Sequence, residues 1–430
     1  MIGLMLTRIL HTSPELRQFV EDLHLDLSEP QRRHVCNMVD ALLVCESDKT
    51  LAELQRQFVE CVDASNMADT LRIGPWTADD LRRPVGAHIV TEAIAQARTS
   101  NKLDMICVSL DDSIAKKNKH TRHIEPVGWH YDHVESSPKK PRYANGLAYL
   151  ECNVWVGGRA VTFDTQIYLR ENRVRAINHQ RDPDERVAFA SKNTLARQML
   201  RTLQPLLPTG IPVYVLHDAW YASAKLIKLS RRLGWHTVTA LKHNRLLNGI
   251  CLTQHSLDHR HQRYERAVIS ATDQSKTTYF TRTYTGRLED VPFDLCVIDS
   301  KWHPRAPRSA YFACTDLSLE SQPALQIYSH RWGCETDNVY LKSRLGLGDF
   351  RVRSYEAVDK FMAVVLLALT YLQHRLIVEA QPAPRNRCLA DVIRSHRDEH
   401  LCDWLSGACQ EAVATGDINA VLQRYLRLNP

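Results

Sequence analysis

The hydrophobic positions keep a helical period through the first hundred residues and then change to short apolar runs. Ser28-Glu29-Pro30-Gln31 combines a capping serine, a first-turn proline and a glutamine three residues past the cap. Val35, Met38, Val39, Leu42 and Leu43 follow at helical spacing. Thr50-Leu51-Ala52-Glu53 is a second capping box, and Leu51, Leu54 and Phe58 lie on one face beyond it. Two short capped helices with a tight connection suit either a helix-turn-helix entering a DNA groove or one corner of a small helical bundle. Trp76 to Leu81 reads as a loop leading to one more helix.

From Met105 the signal is strand-like. Met105 to Leu110 is an apolar run ending in Asp111 and Asp112, the pattern of a buried strand with acids at its end. Lys116, Lys117, Lys119 and Arg122 follow without an intervening acid. Gly146 to Val156 and Arg159 to Leu169 predict two strands joined at Gly157-Gly158. Leu195 to Leu207 predicts a helix, Ile211 to Leu216 a second buried strand running into Asp218, Ser223 to Leu233 an amphipathic helix, and Thr237 to Leu241 a strand. Between about 245 and 318 helical periodicity disappears, and Tyr279 to Tyr284, Phe293 to Ile298 and Ala310 to Cys314 suggest a β-rich insertion. A helix is expected over Tyr328 to Lys342, a buried helix over Glu356 to Val378, and short helices without evident chemistry in the last 50 residues.

Composition narrows the class of protein. With 430 residues, 24% of them charged and 44% hydrophobic, the chain resembles an ordinary folded protein of two to four units. The net charge of +6 permits nucleic-acid binding without demanding it. The 12 cysteines include no C-x-x-C pair, which argues against a zinc ribbon or a dithiol redox site. The start of the chain lacks a signal-peptide pattern, and the longest charge-free apolar run, Phe361 to Leu372, is 12 residues. These features lead to the expectation of a cytoplasmic protein with no membrane partner.

Chemistry concentrates in Tyr328-Ser-His-Arg-Trp-Gly-Cys-Glu-Thr-Asp-Asn-Val-Tyr-Leu-Lys342. On a continuous helix Tyr328, Arg331, Glu335 and Lys342 would fall at roughly 0°, 300°, 340° and 320°, a stripe about 60° wide. Such a stripe suits a helix bringing one acid to a metal while cations hold phosphate; an exposed helix with incidental ion pairs is the plainer alternative. Acids at two strand ends and one on a packed helix can converge, and three converged carboxylates repel unless divalent cations neutralise them. Two hard cations about 4 Å apart can stabilise both the attacking and leaving oxygens of a phosphoryl displacement.

Tyr328, Arg331, Glu335 and Lys342 match, without a gap, the signature of a known family. Leu110-Asp111-Asp112-Ser113, His217-Asp218-Ala219-Trp220-Tyr221 and the arginine-bearing run Gly346 to Tyr355 resemble its other segments. The chain resembles bacterial insertion-sequence transposases of the DDE class, in the Y-R-E-K signature subgroup (the IS-four type), over about residues 100 to 380. The resemblance implies an α/β fold with an RNase H-like catalytic core, a β-rich insertion and a helical N-terminal DNA-binding region. Asp111, Asp218 and Glu335 would be the catalytic metal ligands for two Mg²⁺ ions, with Mn²⁺ able to substitute. Tyr328, Arg331 and Lys342 would hold DNA phosphates, and Lys116, Lys117, Arg351 and Arg353 are further DNA-contact candidates. Asp111 and Asp112 point to opposite faces of a regular strand, so only one enters the site; the D-x-S register favours Asp111.

The implied activity is hydrolysis of double-stranded DNA at the terminal inverted repeats of a mobile element, then strand transfer into target DNA, by a homodimer in the DNA complex near the bacterial nucleoid. The expected organisation is a DNA-binding region at 1–100, catalytic core at 101–247 and 320–380, the insertion at 248–319 and a helical C-terminal region at 381–430. An inactive or domesticated DNA-binding relative and a stand-alone RNase H-like nuclease are the alternatives. Trp302, in the insertion, is either a partner for an unpaired base or a partly buried structural residue.

Overall fold

The computed structural model describes residues 7–60, 64–133, 135–137, 139–179, 181–270, 275–379 and 387–426; the first six residues of the apolar start lie outside them. Five helices come first: α1 (Pro14–Asp22), α2 (Glu29–Val44), α3 (Leu51–Gln55), α4 (Ala64–Arg72) and α5 (Ala78–Thr99). Next are β1 (Ile106–Lys116), β2 (Gly128–Tyr131), β3 (Tyr143–Val156) and β4 (Arg159–Tyr168), then α6 (Glu171–Asn178) and α7 (Lys192–Leu203). β5 (Val213–His217), α8 (Ala224–Arg232) and β6 (His236–Leu241) complete the first sheet segment. A small hairpin, β7 (Leu246–Leu247) and β8 (Ile250–Cys251), leads to α9 (Leu252–Asp258), β9 (Glu265–Ser270), β10 (Lys276–Gly286), β11 (Leu295–Lys301) and β12 (Ala310–Cys314). The chain closes with α10 (Ser321–Ser329), α11 (Trp332–Val339), α12 (Tyr355–Val378), α13 (Leu389–Thr415) and α14 (Ile418–Leu426).

One mixed sheet organises these elements. β4 and β2 both pair with β3, after which the order runs β3-β1-β5-β6-β12-β11-β10-β9. β1 is antiparallel to β3 and parallel to β5, and β5 is parallel to β6. The β3–β4 turn at Gly157-Gly158 has positive φ at both glycines (58° and 85°), the backbone that a tight two-residue hairpin requires. The strands of 248–319 do not stand apart from the core: β12 pairs antiparallel with β6 and extends the same sheet. α9 interrupts that segment, where periodicity had suggested no helix; seven residues are too few to establish a helical period.

The two faces of β1 carry different layers. Ile106, Val108 and Leu110 face a core shared with α5, α7 and α8, whereas Cys107 belongs to a cluster covered by α10. α12 is buried along nearly its whole length, packing against α5, α2, α13 and β4. It is apolar and long enough to cross a membrane by composition, but 83% of its most apolar window is buried inside the protein. The N-terminal helices share one hydrophobic core with it, from Leu16 and Leu42 to Phe361 and Leu369. α2 is enclosed there, and α3 has only five residues, so this pair forms a corner of the helical bundle. The C-terminal region, expected as short helices, contains the 27-residue α13.

Candidate active site

β1 does not stop at the acids. It continues through Asp111 and Asp112 to Lys116 because β3 goes on pairing with it as far as Gly146. The parallel partner β5 does stop: its last paired position is His217 opposite Leu110. Asp111 and Asp218 are therefore the next residues on two neighbouring strands, at the point where the parallel ladder opens. Asp218 Oδ1 accepts from the amides of Trp220 (2.9 Å) and Tyr221 (3.3 Å), which fixes its turn.

The stretch expected as one helix is broken into α10, α11 and a wide π turn at Tyr340–Arg344. The amides of His330, Arg331, Gly333 and Cys334 bond three residues back, tightening the junction, while Leu345 N–H reaches five residues back to Tyr340. Just past the break, Gly333 lies close to β3 and β4: a Cβ there would be 2.9 Å from both Ala160 Cβ and Asn153 Oδ1. The tight and wide turns depart from 3.6 residues per turn in opposite senses, so the polar stripe largely keeps its phase.

Arg331 joins the pieces. Its guanidinium donates to Asp111 Oδ2 (2.6 Å) and to Glu335 Oε1 (2.5 Å), bridging strand and helix. Lys342 Nζ donates to Ser113 Oγ at 2.9 Å, two residues beyond Asp111 on the same face. The Tyr328 ring packs on Phe312 (4.9 Å between centroids), with the Arg331 guanidinium 5.9 Å away. Burial raises Asp111 to about 6 despite Arg331, and burial lowers Lys342 from the usual amine range. Asp111 is thus short of positive charge. Three carboxylates supply hard oxygen donors that suit Mg²⁺. Their ligand oxygens are not drawn into one group within 4.8 Å, and Arg331 stands between two of them.

Asp112 faces the other way. Lys192 Nζ donates to its Oδ2 and Tyr221 Oη to its Oδ1, so this carboxylate is held by α7 and the turn after β5. Beneath Asp111 lie two acids outside the sequence-based set. Glu151 pairs across the ladder with Asp111 and is fully buried. Asp337 accepts from Asn153 Nδ2 (2.6 Å), Thr162 Oγ1 (2.8 Å) and Gln373 Nε2 (3.1 Å). Burial pushes both acids upward, Asp337 to about 7. An acid inside the apolar run Leu147–Val156 was the available signal.

The remaining basic candidates divide. Lys116 is paired with Asp132 (2.7 Å) and Glu135 (2.6 Å). Lys117 donates to the Phe350 carbonyl and lies over the Phe350 ring, where burial lowers it to about 8. Arg351 and Arg353 are exposed and, with Lys116, Lys117, Arg122 and His123, line a cleft of about 540 Å³. Trp302 is 73% exposed, which removes the partly buried structural reading.

A family model described as DDE superfamily endonuclease matches residues 19–277, more than half of the chain and including Asp111 and Asp218. The chain belongs to the DDE superfamily of endonucleases. A second model, transposase DDE domain, matches residues 187–371 of this endonuclease and spans Asp218 and Glu335. Among solved structures, a chain from a cryo-EM piggyBac transposase synaptic complex with hairpin DNA is 12% identical, with a TM-score of 0.41. That match covers 75% of this chain and 57% of the other, so the endonuclease spans little more than half of that relative's length. No curated protein matches the sequence.

Proposed function

We propose that this DDE endonuclease is a cut-and-paste transposase of the Y-R-E-K (IS-four type) subgroup, with an RNase H-like core. The observation carrying this reading is Arg331, which bridges Asp111 and Glu335 beside Asp218 although 220 residues separate it from Asp111. Asp111, Asp218 and Glu335 would hold two Mg²⁺ ions, or Mn²⁺ in their place. The ions supply charge stabilisation at the scissile phosphate and a more acidic attacking water or 3′-hydroxyl. Arg331, Lys342 and Tyr328 orient the cleaved strand, offering directional donors and a mobile charge to phosphate oxygens.

The cleft containing Arg351 and Arg353 extends this surface along the duplex, with Lys116 and Lys117 contributing at its wall. Residues 1–100 form the DNA-binding region, 101–247 and 320–380 the core, 248–319 the insertion and 381–430 the C-terminal region of the proposed transposase. It acts in the bacterial cytoplasm at the nucleoid, as a homodimer that joins two terminal inverted repeats and target DNA.

The test is cleavage of a labelled duplex carrying the element's terminal repeat, in Mg²⁺ or EDTA, by wild type and Glu335→Gln. Nicking at the repeat boundary should need both Mg²⁺ and Glu335, with a loss of at least about 10³-fold in the variant. Cutting by Glu335→Gln at the wild-type rate overturns the assignment. Specific binding without cleavage in Mg²⁺, or in Mn²⁺ used in its place, would identify a DNA-holding relative, and cutting without repeat preference a stand-alone nuclease.

A further inference from the structure

Two clusters away from the candidate active site combine two imidazoles with one carboxylate. In each, one ligand atom per residue lies within 4.8 Å of the other two. Asp40 on α2 meets His396 and His400 on α13, with both Nε2 atoms 2.7 Å from the same oxygen. Its other oxygen accepts the Ser13 amide at 2.9 Å, so both carboxylate oxygens are bonded in a buried knot, although His396 Nδ1 has no partner. The second cluster is His88 and Glu92 on α5 with His374 on α12, all half-buried.

This second cluster is the more accessible of the two. His374 Nδ1 is 2.9 Å from Glu92 Oε2, but His88 Nε2 is buried without a hydrogen-bond partner. An orphaned polar atom of this kind is destabilising unless a ligand or solvent satisfies the site. Burial also lowers His88 from the usual imidazole range, which favours the uncharged, ligating form. His88 and Glu92 are four residues apart and share a helix face, while His374 reaches them from the packed neighbour. The Phe19 ring lies against both imidazoles, 5.5 Å from His88 and 4.6 Å from His374, limiting their rotation.

We propose that His88, Glu92 and His374 bind a borderline transition-metal dication, best matched by Zn²⁺, which ties α5 to α12. Two nitrogens and one carboxylate oxygen are a zinc donor set, and the partial exposure of His374 (23%) and Glu92 (21%) leaves access for water as a fourth ligand. The chemistry differs from that of the all-oxygen acids Asp111, Asp218 and Glu335, so the two sites prefer different ions. α5 packs against both α12 and β4, and a metal here would brace a helix supporting the central sheet.

The experiment is zinc titration of the full chain in excess Mg²⁺, followed by X-ray absorption and thermal melting. One equivalent should bind with two imidazoles in its shell and raise Tm. Glu92→Gln and His374→Ala should each weaken binding by about tenfold or more, whereas Asp40→Asn should leave it unchanged. Unchanged zinc affinity in folded Glu92→Gln and His374→Ala overturns the proposal, as does absence of specific zinc binding by wild type. If the variants fail to fold, wild type is treated with Cu²⁺ and ascorbate and its oxidised peptides are mapped. Oxidation at His88 and His374 supports the site; oxidation confined to other residues overturns it.

Discussion

The two faces of β1 treat adjacent, identical side chains in opposite ways. On the α7 face, Asp112 has Lys192 and the Tyr221 hydroxyl to itself, and its charge is settled within the fold. On the α11 face, Asp111 shares one guanidinium with Glu335 and lies above the buried acids Glu151 and Asp337. Dedicated partners make a carboxylate structural. A shared partner leaves capacity for another cation, and burial raises the proton affinity of Asp111 in spite of that partner. Charge alone would not distinguish the two aspartates; the partners on each face do.

The largest contrast should be catalytic. Asp111→Asn should reduce DNA cleavage by at least about 10³-fold, while Asp112→Asn stays within about tenfold of wild type, measured as nicking rates under saturating Mg²⁺. Equal losses would erase the distinction between the faces. A smaller effect, of opposite sign, concerns stability without metal. Asp111 is held at about 6 against an ordinary 3.8, so the unfolded chain releases this proton first as pH rises. The cost is absent below about pH 4, grows across the interval and is complete above about pH 6, reaching about 3 kcal/mol at most. Asp111→Asn should therefore stabilise the metal-free protein near neutral pH and lose that advantage at about pH 4, as read by denaturant melts in EDTA. Loss of the Arg331 contact trims the expected gain to about 1–3 kcal/mol. The smallest effect belongs to the other face: Lys192→Met should destabilise by about 1–2 kcal/mol in urea melts while cleavage persists.

The convergence of Asp111 and Glu335 on Arg331 was legible as a candidate because residue type, order and spacing survive even when the backbone between them is irregular. Tyr328, Arg331, Glu335 and Lys342 keep their mutual spacing, but nothing in that spacing announces the break between Ser329 and Trp332 that divides the helix. The apolar run at Met105 located β1, yet its charged continuation to Lys116 depends on pairing with β3, a contact distant in sequence. Gly157-Gly158 was readable because a tight hairpin makes a local conformational demand. Glu151 also left a trace, as an acid within an apolar strand, but its partner Asp337 emerges only when α11 packs. The extent of α13 was obscured because many of its residues face solvent and leave no clean apolar stripe.

α12 also imposes an order on biosynthesis. Helices α1, α2 and α4 bury their apolar sides in a core to which α12 contributes, yet it follows α5 by roughly 250 residues of chain. At synthesis rates of roughly 5–20 residues per second that interval is on the order of 10–50 s. During it the early helices lack a principal packing partner, and the nascent chain must keep their apolar surfaces from associating with other molecules. Completion of this bundle is consequently a late event, coupled to the arrival of a helix that could itself be mistaken for a membrane segment before it is enclosed.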